Sequence, residues 1–443
     1  MMLTKRNRKL SAFAAAALSL PAIASAADVT VLTSKDPRLV WKSVTLPGGK
    51  QTTYTHGIGS GAFRHRSDPT DVVWTVGDRG PNMTCAEAGK LIGAEIAAAC
   101  KAHTRGRVYP TPEYVPTIYK LQLDRASGSF NVLDAISVKT KSGKPISGLL
   151  NPQTKATKDT GMDLAGKLLP DNADNLDLEA LVRLSDGSFW VGEEMGPSIA
   201  HLSADGRILK RLVPADAVAD YRSSEAEIVG SLPAVLSKRQ GNRGIESIAI
   251  SPDEQFLYFI MQNPLANPDA KTYTAARNTR LFKLERTTGK LLGEYVYQLD
   301  DPQSFALDPS KRQSDPRISE LTALGTDRLL VLERTEGTTK LHEVELAGAT
   351  NILGSKWDDA TTSPSLEQEN DATKIGITPL KKTLRFDQAR DFKAAPGKIE
   401  GVAFLGDGTM MLINDNDFGI RGDETKILLI KGLVTADRSV YAK

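Results

Sequence analysis

Four glutamates, Glu179, Glu246, Glu320 and Glu400, stand at the start of short apolar runs spaced about 67 to 80 residues apart. Each run reaches a turn and returns to a polar tip, at Glu194, Gln262, Glu333-Arg334 and Asn414-Asp415. A looser first copy ends on Asp78-Arg79. Carboxylates gathered on one rim repel one another and raise each other's pKa, so they call for a cation. Oxygen donors favour a hard ion such as Ca²⁺ over Zn²⁺, and the five histidines show no paired spacing. Ca²⁺ is therefore the expected cofactor, with Glu179, Glu246, Glu400, Asn414 and Asp415 as its expected ligands. Arg79, Arg243 and Arg334 are interleaved among these acids. They either pair with the carboxylates or, with Asp78, hold an anionic substrate, because a guanidinium matches phosphate oxygens bidentately. Structural roles are also open: a glutamate at a strand start can bond backbone amides, and Asp or Asn after a strand often forms the turn.

Other chemistries lack their motifs. The chain has no Gly-x-Ser-x-Gly elbow, no phosphate loop ending in Gly-Lys-Ser/Thr and no His-Glu-x-x-His. Ser60 and Ser247 occupy positions in the repeat, but no histidine is evident as a base for either.

The elements that must position these residues are strands. Apolar and β-branched runs alternate with Asp-Gly, Ser-Gly and Pro-Asp turns, which predicts an all-β chain. Most copies are followed by a second hairpin, so each unit predicts a four-stranded blade and the whole a β-propeller. Five units are explicit. The unmatched ends, 28–54 and 426–440, predict a sixth blade, with seven also compatible. Three insertions interrupt the repeat, near 80–115, 141–176 and 354–373. The first reads as helical, falls within the first blade and carries Cys85 and Cys100. The last is acidic and rich in Ser and Thr, which predicts a mobile loop. Long loops on a rigid ring usually line or cover its site.

A basic cluster (Lys5, Arg6, Arg8, Lys9), an apolar run and Ala24-Ser25-Ala26 read as a signal peptide over 1–26, cleaved after Ala26. The mature chain, 27–443, then forms one domain, periplasmic or secreted. Losing four cations turns the net charge from +2 to about −2, no footprint for nucleic acid or an anionic membrane. A small-molecule substrate, anionic or an ester, and a monomer are expected. In an exported chain, Cys85 and Cys100 predict a disulfide contributing about 3 kcal/mol for so short a loop.

Several segments resemble the phytase-like family of exported proteins known as "esterase-like activity of phytase". They are Gly77-Asp78-Arg79-Gly80, Asn242-Arg243-Gly244-Ile245-Glu246, Leu332-Glu333-Arg334, Ile399-Glu400-Gly401 and Asn414-Asp415-Asn416-Asp417-Phe418-Gly419. The similarity runs from about residue 55 to 432. The resemblance implies a propeller that hydrolyses ester or phosphoester bonds. True β-propeller phytases bind several Ca²⁺ ions and hold phosphate on Lys and Arg. This chain offers the acids and arginines but no dense lysine cluster in its motifs, a departure that bears on phytate as substrate. Calcium-dependent propeller lactonases also use a Glu/Asn/Asp set on the axis. Three readings follow: a metal-dependent phosphoester hydrolase with Glu400, Glu246, Arg79 and Arg334 as catalytic residues, a lactonase or carboxylesterase using the same ring, and a non-catalytic ligand-binding propeller.

Overall fold

Apolar runs bounded by Gly-containing turns form strands wherever the repeat places them, giving a mostly β protein. The computed structural model describes residues 28–103, 105–152 and 159–441, without the side chain of Glu95. The leader expected over 1–26 lies outside the described residues.

Five antiparallel meanders dominate. The first comprises Gly61–Phe63, Val72–Val76, Thr117–Asp124 and Ser129–Ser137. The second comprises Leu178–Arg183, Phe189–Glu193, Ser198–Leu202 and Ile208–Pro214, with Glu227–Leu232 added in parallel at its edge. The third comprises Ile245–Ile250, Phe256–Met261, Asn278–Glu285 and Leu291–Gln298. The fourth comprises Arg317–Gly325, Arg328–Arg334, Thr339–Glu345 and Lys382–Asp387. The fifth comprises Ile399–Phe404, Thr409–Asn414 and Ile427–Lys431, with Val29–Leu32 as its outer strand.

The leading strands of these sheets neighbour one another in chain order, and the fifth neighbours the first. The core follows the same order, divided into clusters that each join two sheets. Trp74 and Val76 pack with Leu178 and Val191, joining the first and second sheets. Val182 and Trp190 pack with Ile248 and Phe259. Tyr258 and Leu281 pack with Leu321 and Val331. Leu330 and Leu332 pack with Val402 and Leu412. Tyr119 and Leu121 pack with Met411 and Leu429, joining the fifth sheet to the first. Each fully buried aliphatic or aromatic side chain contributes about 1.5–3 kcal/mol.

The expected sixth blade is not among the described sheets. Its residues are placed otherwise: Val29–Leu32 pairs with Ile427–Lys431 and completes the fifth sheet. Val40–Thr45 pairs with Gln51–Thr55 as a separate hairpin.

The first insertion is helical as expected and lies between the second and third strands of the first sheet. Its helices, Cys85–Leu91 and Ala94–Lys101, are joined by the Cys85–Cys100 bond. Thr84 caps the first helix, with Glu87 closing the capping box. Thr160–Met162, from the second insertion, pairs in parallel with Gly106–Val108, so both insertions build one unit. The third insertion is ordered rather than mobile. Trp357 and Leu366 are buried against Val296 and Ile352. Glu367 accepts from Arg280 at 2.9 and 3.0 Å, replacing the acidic loop's repulsion with an ion pair.

Candidate functional site

One irregularity, repeated four times, aims the site residues. In the second sheet Leu178 faces Glu193 and Ala180 faces Gly192, leaving Glu179 outside the ladder. The same skip isolates Glu246 in the third sheet and Glu400 in the fifth. Such a bulge re-aims the extra side chain, and all three glutamates line one cavity of about 470 Å³. The residue just past the return strand lines it too in the second, third and fifth sheets (Glu194, Gln262 and Asp415), and in the fourth the strand's last residue does, Arg334. Asp78 and Arg79 join from the first sheet.

Three expectations shift by one residue. In the fourth sheet the bulge isolates Ser319, not Glu320. Glu320 instead accepts the Ala62 and Leu321 amides, both at 3.0 Å. Glu333 faces the other way and accepts from Tyr297 at 2.8 Å and Lys382 at 2.6 Å. Asn414, expected as a metal ligand, is paired within the ladder opposite Ile399 and does not line the cavity. Its amide serves the following loop, accepting from the Lys426 amide at 2.7 Å and donating to the Glu424 carbonyl at 3.2 Å.

The cavity floor is acidic. Asp78, Asp177 and Glu179 bring carboxylate oxygens within 4.8 Å of one another, and so do Glu179, Glu194 and Glu246. Glu179 belongs to both groups. Burial, reinforced by neighbouring carboxylates, holds the Asp78, Glu179 and Glu246 carboxyls well above their usual range. Burial pushes Asp177 and Glu400 up to about 7, against Arg79 and Arg334 respectively. Ser319 donates to Glu246 at 2.8 Å and accepts from Arg334 Nε at 3.0 Å. Arg334 also bonds Glu400, and the Gln262 amide donates to Glu246. The Gln262 Oε1 is buried without a hydrogen-bond partner.

The walls carry cations that the sequence reading missed: Arg107, Arg317, Lys398 and Arg421. Lys398 bonds Asp415 at 2.7 Å and also Asp417, and these two acids and Glu400 raise its pKa against burial. Asp415 is lowered in turn, against burial, chiefly by Lys398. Burial and the charges of Arg334 and Arg243 push Arg317 down to about 9. The signal was present: Arg243 and Lys398 fall within two residues ahead of a leading strand, and Arg317 is the first residue of one. At the opposite end of the leading strands a smaller space of about 50 Å³ is lined by Phe63, Ile250, Phe404 and Val440 together with Arg64, His65, Arg66 and Glu254.

Close backbone approach between sheets fixes the rim. A Cβ on Gly244 would lie 2.1 Å from the Glu194 carbonyl oxygen, and one on Gly59 2.0 Å from that of Asn414. Gly244→Ala is expected to cost about 1–3 kcal/mol in urea unfolding by overpacking. Gly89→Ala, inside a helix with only Ala97 at 3.8 Å, should instead leave stability unchanged or raise it. Equal effects of the two would contradict the packing described.

The acidic floor also sets a pH dependence. Asp177 and Glu400 titrate near 7 in the folded chain but near 3.8 and 4.5 when unfolded. Between these values the folded state binds more protons, so stability falls as pH rises. The cation-free protein should melt about 4 °C or more lower at pH 8 than at pH 5. Added Ca²⁺ should flatten that slope, and a melting point rising with pH would refute the assignment.

A mostly β, propeller-like chain with a carboxylate floor and arginine walls is the class these features define. The chain belongs to the phytase-like family, described as having esterase-like activity of phytase, which matches residues 107–418. It is 30% identical over 177 residues to an "uncharacterized secreted protein" of Arthroderma benhamiae, covering 36% of this chain and 34% of that one. The match thus spans about a third of the relative's length. Among solved structures, a protein of unknown function from Bacteroides thetaiotaomicron overlaps at TM-score 0.34 and 10% identity, covering 91% of this chain and 76% of that one. The PQQ-bound aldose sugar dehydrogenase of Streptomyces coelicolor overlaps at TM-score 0.32 and 11% identity, covering 91% and 98%. Overlaps at this level carry no inference about activity. Among the described residues no helix is long and apolar enough to cross a membrane.

Proposed function

We propose that this is an exported, metal-dependent phosphoester hydrolase, acting at one mouth of a five-bladed propeller formed by residues 27–443. The observation that carries the reading is the contact between two opposite demands. Arg243, Arg317 and Arg334 crowd together on one wall and call for an anion, beside carboxylates that call for a cation.

The donors fit a hard divalent ion. All are oxygens, Glu179 is shared by two carboxylate groups, and the Gln262 carbonyl stands free beside Glu246. Ca²⁺ held by Glu179 with Glu194 and Glu246, or with Asp78 and Asp177, would polarise a phosphoryl oxygen and lower the pKa of a bound water. Arg243, Arg317 and Arg334 hold the phosphate and stabilise the charge that develops on it. Arg79, 3.2 Å from Asp177, borders the same floor from the other side. Glu400, with its pKa near 7, is placed to take a proton from attacking water or give one to the leaving oxygen. Asp415, engaged by Lys398, positions that lysine rather than binding metal.

A lactonase or carboxylesterase could use the same floor but has no need of three crowded guanidiniums. The test is a panel of p-nitrophenyl phosphate, acyl esters and lactones, each with Ca²⁺ and with EDTA. Phosphate ester turnover that EDTA removes is expected. Turnover of lactones alone would favour the alternative, and no turnover of any substrate would leave a ligand-binding propeller.

A further inference from the structure

The cavity is charged on its floor and walls, but its apolar lining lies on one side only. Met83, Leu91 and Ile420 are the apolar residues that face it. Met83 leads into the disulfide-tied helical unit and Leu91 ends that unit's first helix. Ile420 comes from the facing loop and packs against the same unit, in a cluster with Met83, Ala88 and Ile92. Arg421 reaches across to Glu87, tying loop to helix. Leu91 does not join that cluster: it stays 38% exposed at the cavity while Ala88, Ile92 and Ile96 fill the unit's core. The volume, about 470 Å³, is several times that of a phosphate group.

We propose that Met83, Leu91 and Ile420 seat an apolar organic group of the substrate. The pocket would then take an amphiphilic phosphomonoester, an aryl or medium-chain alkyl phosphate, in preference to a small or uniformly hydrophilic one. This rests on the reading of the arginine wall as a phosphate site. An apolar group under the helical unit removes its own surface and that of Leu91 from water, so affinity rises with chain length. A polyhydroxylated or polyphosphorylated substrate would strand polar groups against the same wall.

Non-hydrolysable phosphonates separate the two claims. Calorimetric titration of the full chain in Ca²⁺ is expected to show hexylphosphonate binding about ten-fold or more tightly than methylphosphonate. In Leu91→Ser that ratio should fall below about three-fold, with methylphosphonate unchanged. Equal affinities in the unaltered protein would overturn the apolar seat and leave the phosphate site standing. A ratio preserved in Leu91→Ser would overturn the assignment to this wall. Binding of neither phosphonate would overturn the phosphate reading and this one with it.

Discussion

Glu179→Gln is expected to lower Ca²⁺-dependent turnover by on the order of 10³-fold or more. Glu179 belongs to both carboxylate groups, and it lies among Asp78, Asp177, Glu194 and Glu246. The same substitution should not weaken the cation-free protein at pH 8, because it removes one charge from a cluster of like charges. The two readouts therefore move apart: activity and the Ca²⁺-induced rise in melting temperature vanish, while stability without Ca²⁺ holds or improves. A merely structural glutamate would show the reverse. Calcium stabilisation retained in Glu179→Gln, with turnover within ten-fold of normal, would place the ion elsewhere.

Arg317→Met should weaken inorganic phosphate binding by on the order of 100-fold, the loss of a bidentate charge-assisted pair. Arg317 faces two other guanidiniums, and its ion pair is to Glu336, whose side chain is 65% exposed. Exposed pairs contribute little, so removing Arg317 should leave folding unchanged or slightly favoured. Arg334→Met provides the contrast, since it strands Glu400 and takes a donor from Ser319, both buried. Breaking a buried pair in this way costs about 3–5 kcal/mol. Calorimetry with phosphate and urea unfolding on both variants would decide the matter. Phosphate affinity unchanged in Arg317→Met would remove that residue from the anion site.

The repeat was legible because blade strands are local: a carboxylate, an apolar run, a turn and a polar tip survive in sequence as a pattern. The floor came with it, through Glu179, Glu246 and Glu400. What misled was the one-residue displacement in the fourth unit, where Ser319 holds the bulge and Glu320 merely looks equivalent. A bulge is a matter of register between strands, and register is not written in spacing alone. Asn414 falls outside the cavity for the same reason, since neighbouring residues on a strand point to opposite faces. The cations were missed because Arg107 arrives from an insertion, while Arg317 opens its strand ahead of the repeated apolar-x-Glu pattern. The pairing of the ends was not legible, because strands more than 390 residues apart in the chain, Val29–Leu32 and Ile427–Lys431, share one sheet. No local pattern announces that pairing.

That shared sheet ties the chemistry to the order of assembly. Glu400 and Asp415 sit on the sheet that needs the first described strand to be complete. A growing chain can form the second, third and fourth sheets from contiguous sequence, but Val29–Leu32 must wait for its partner to emerge. Such long-range pairing is slow, because loop closure precedes any reward from contact. The pocket is thus among the last parts of the molecule to exist, and a chain still being made carries it unfinished.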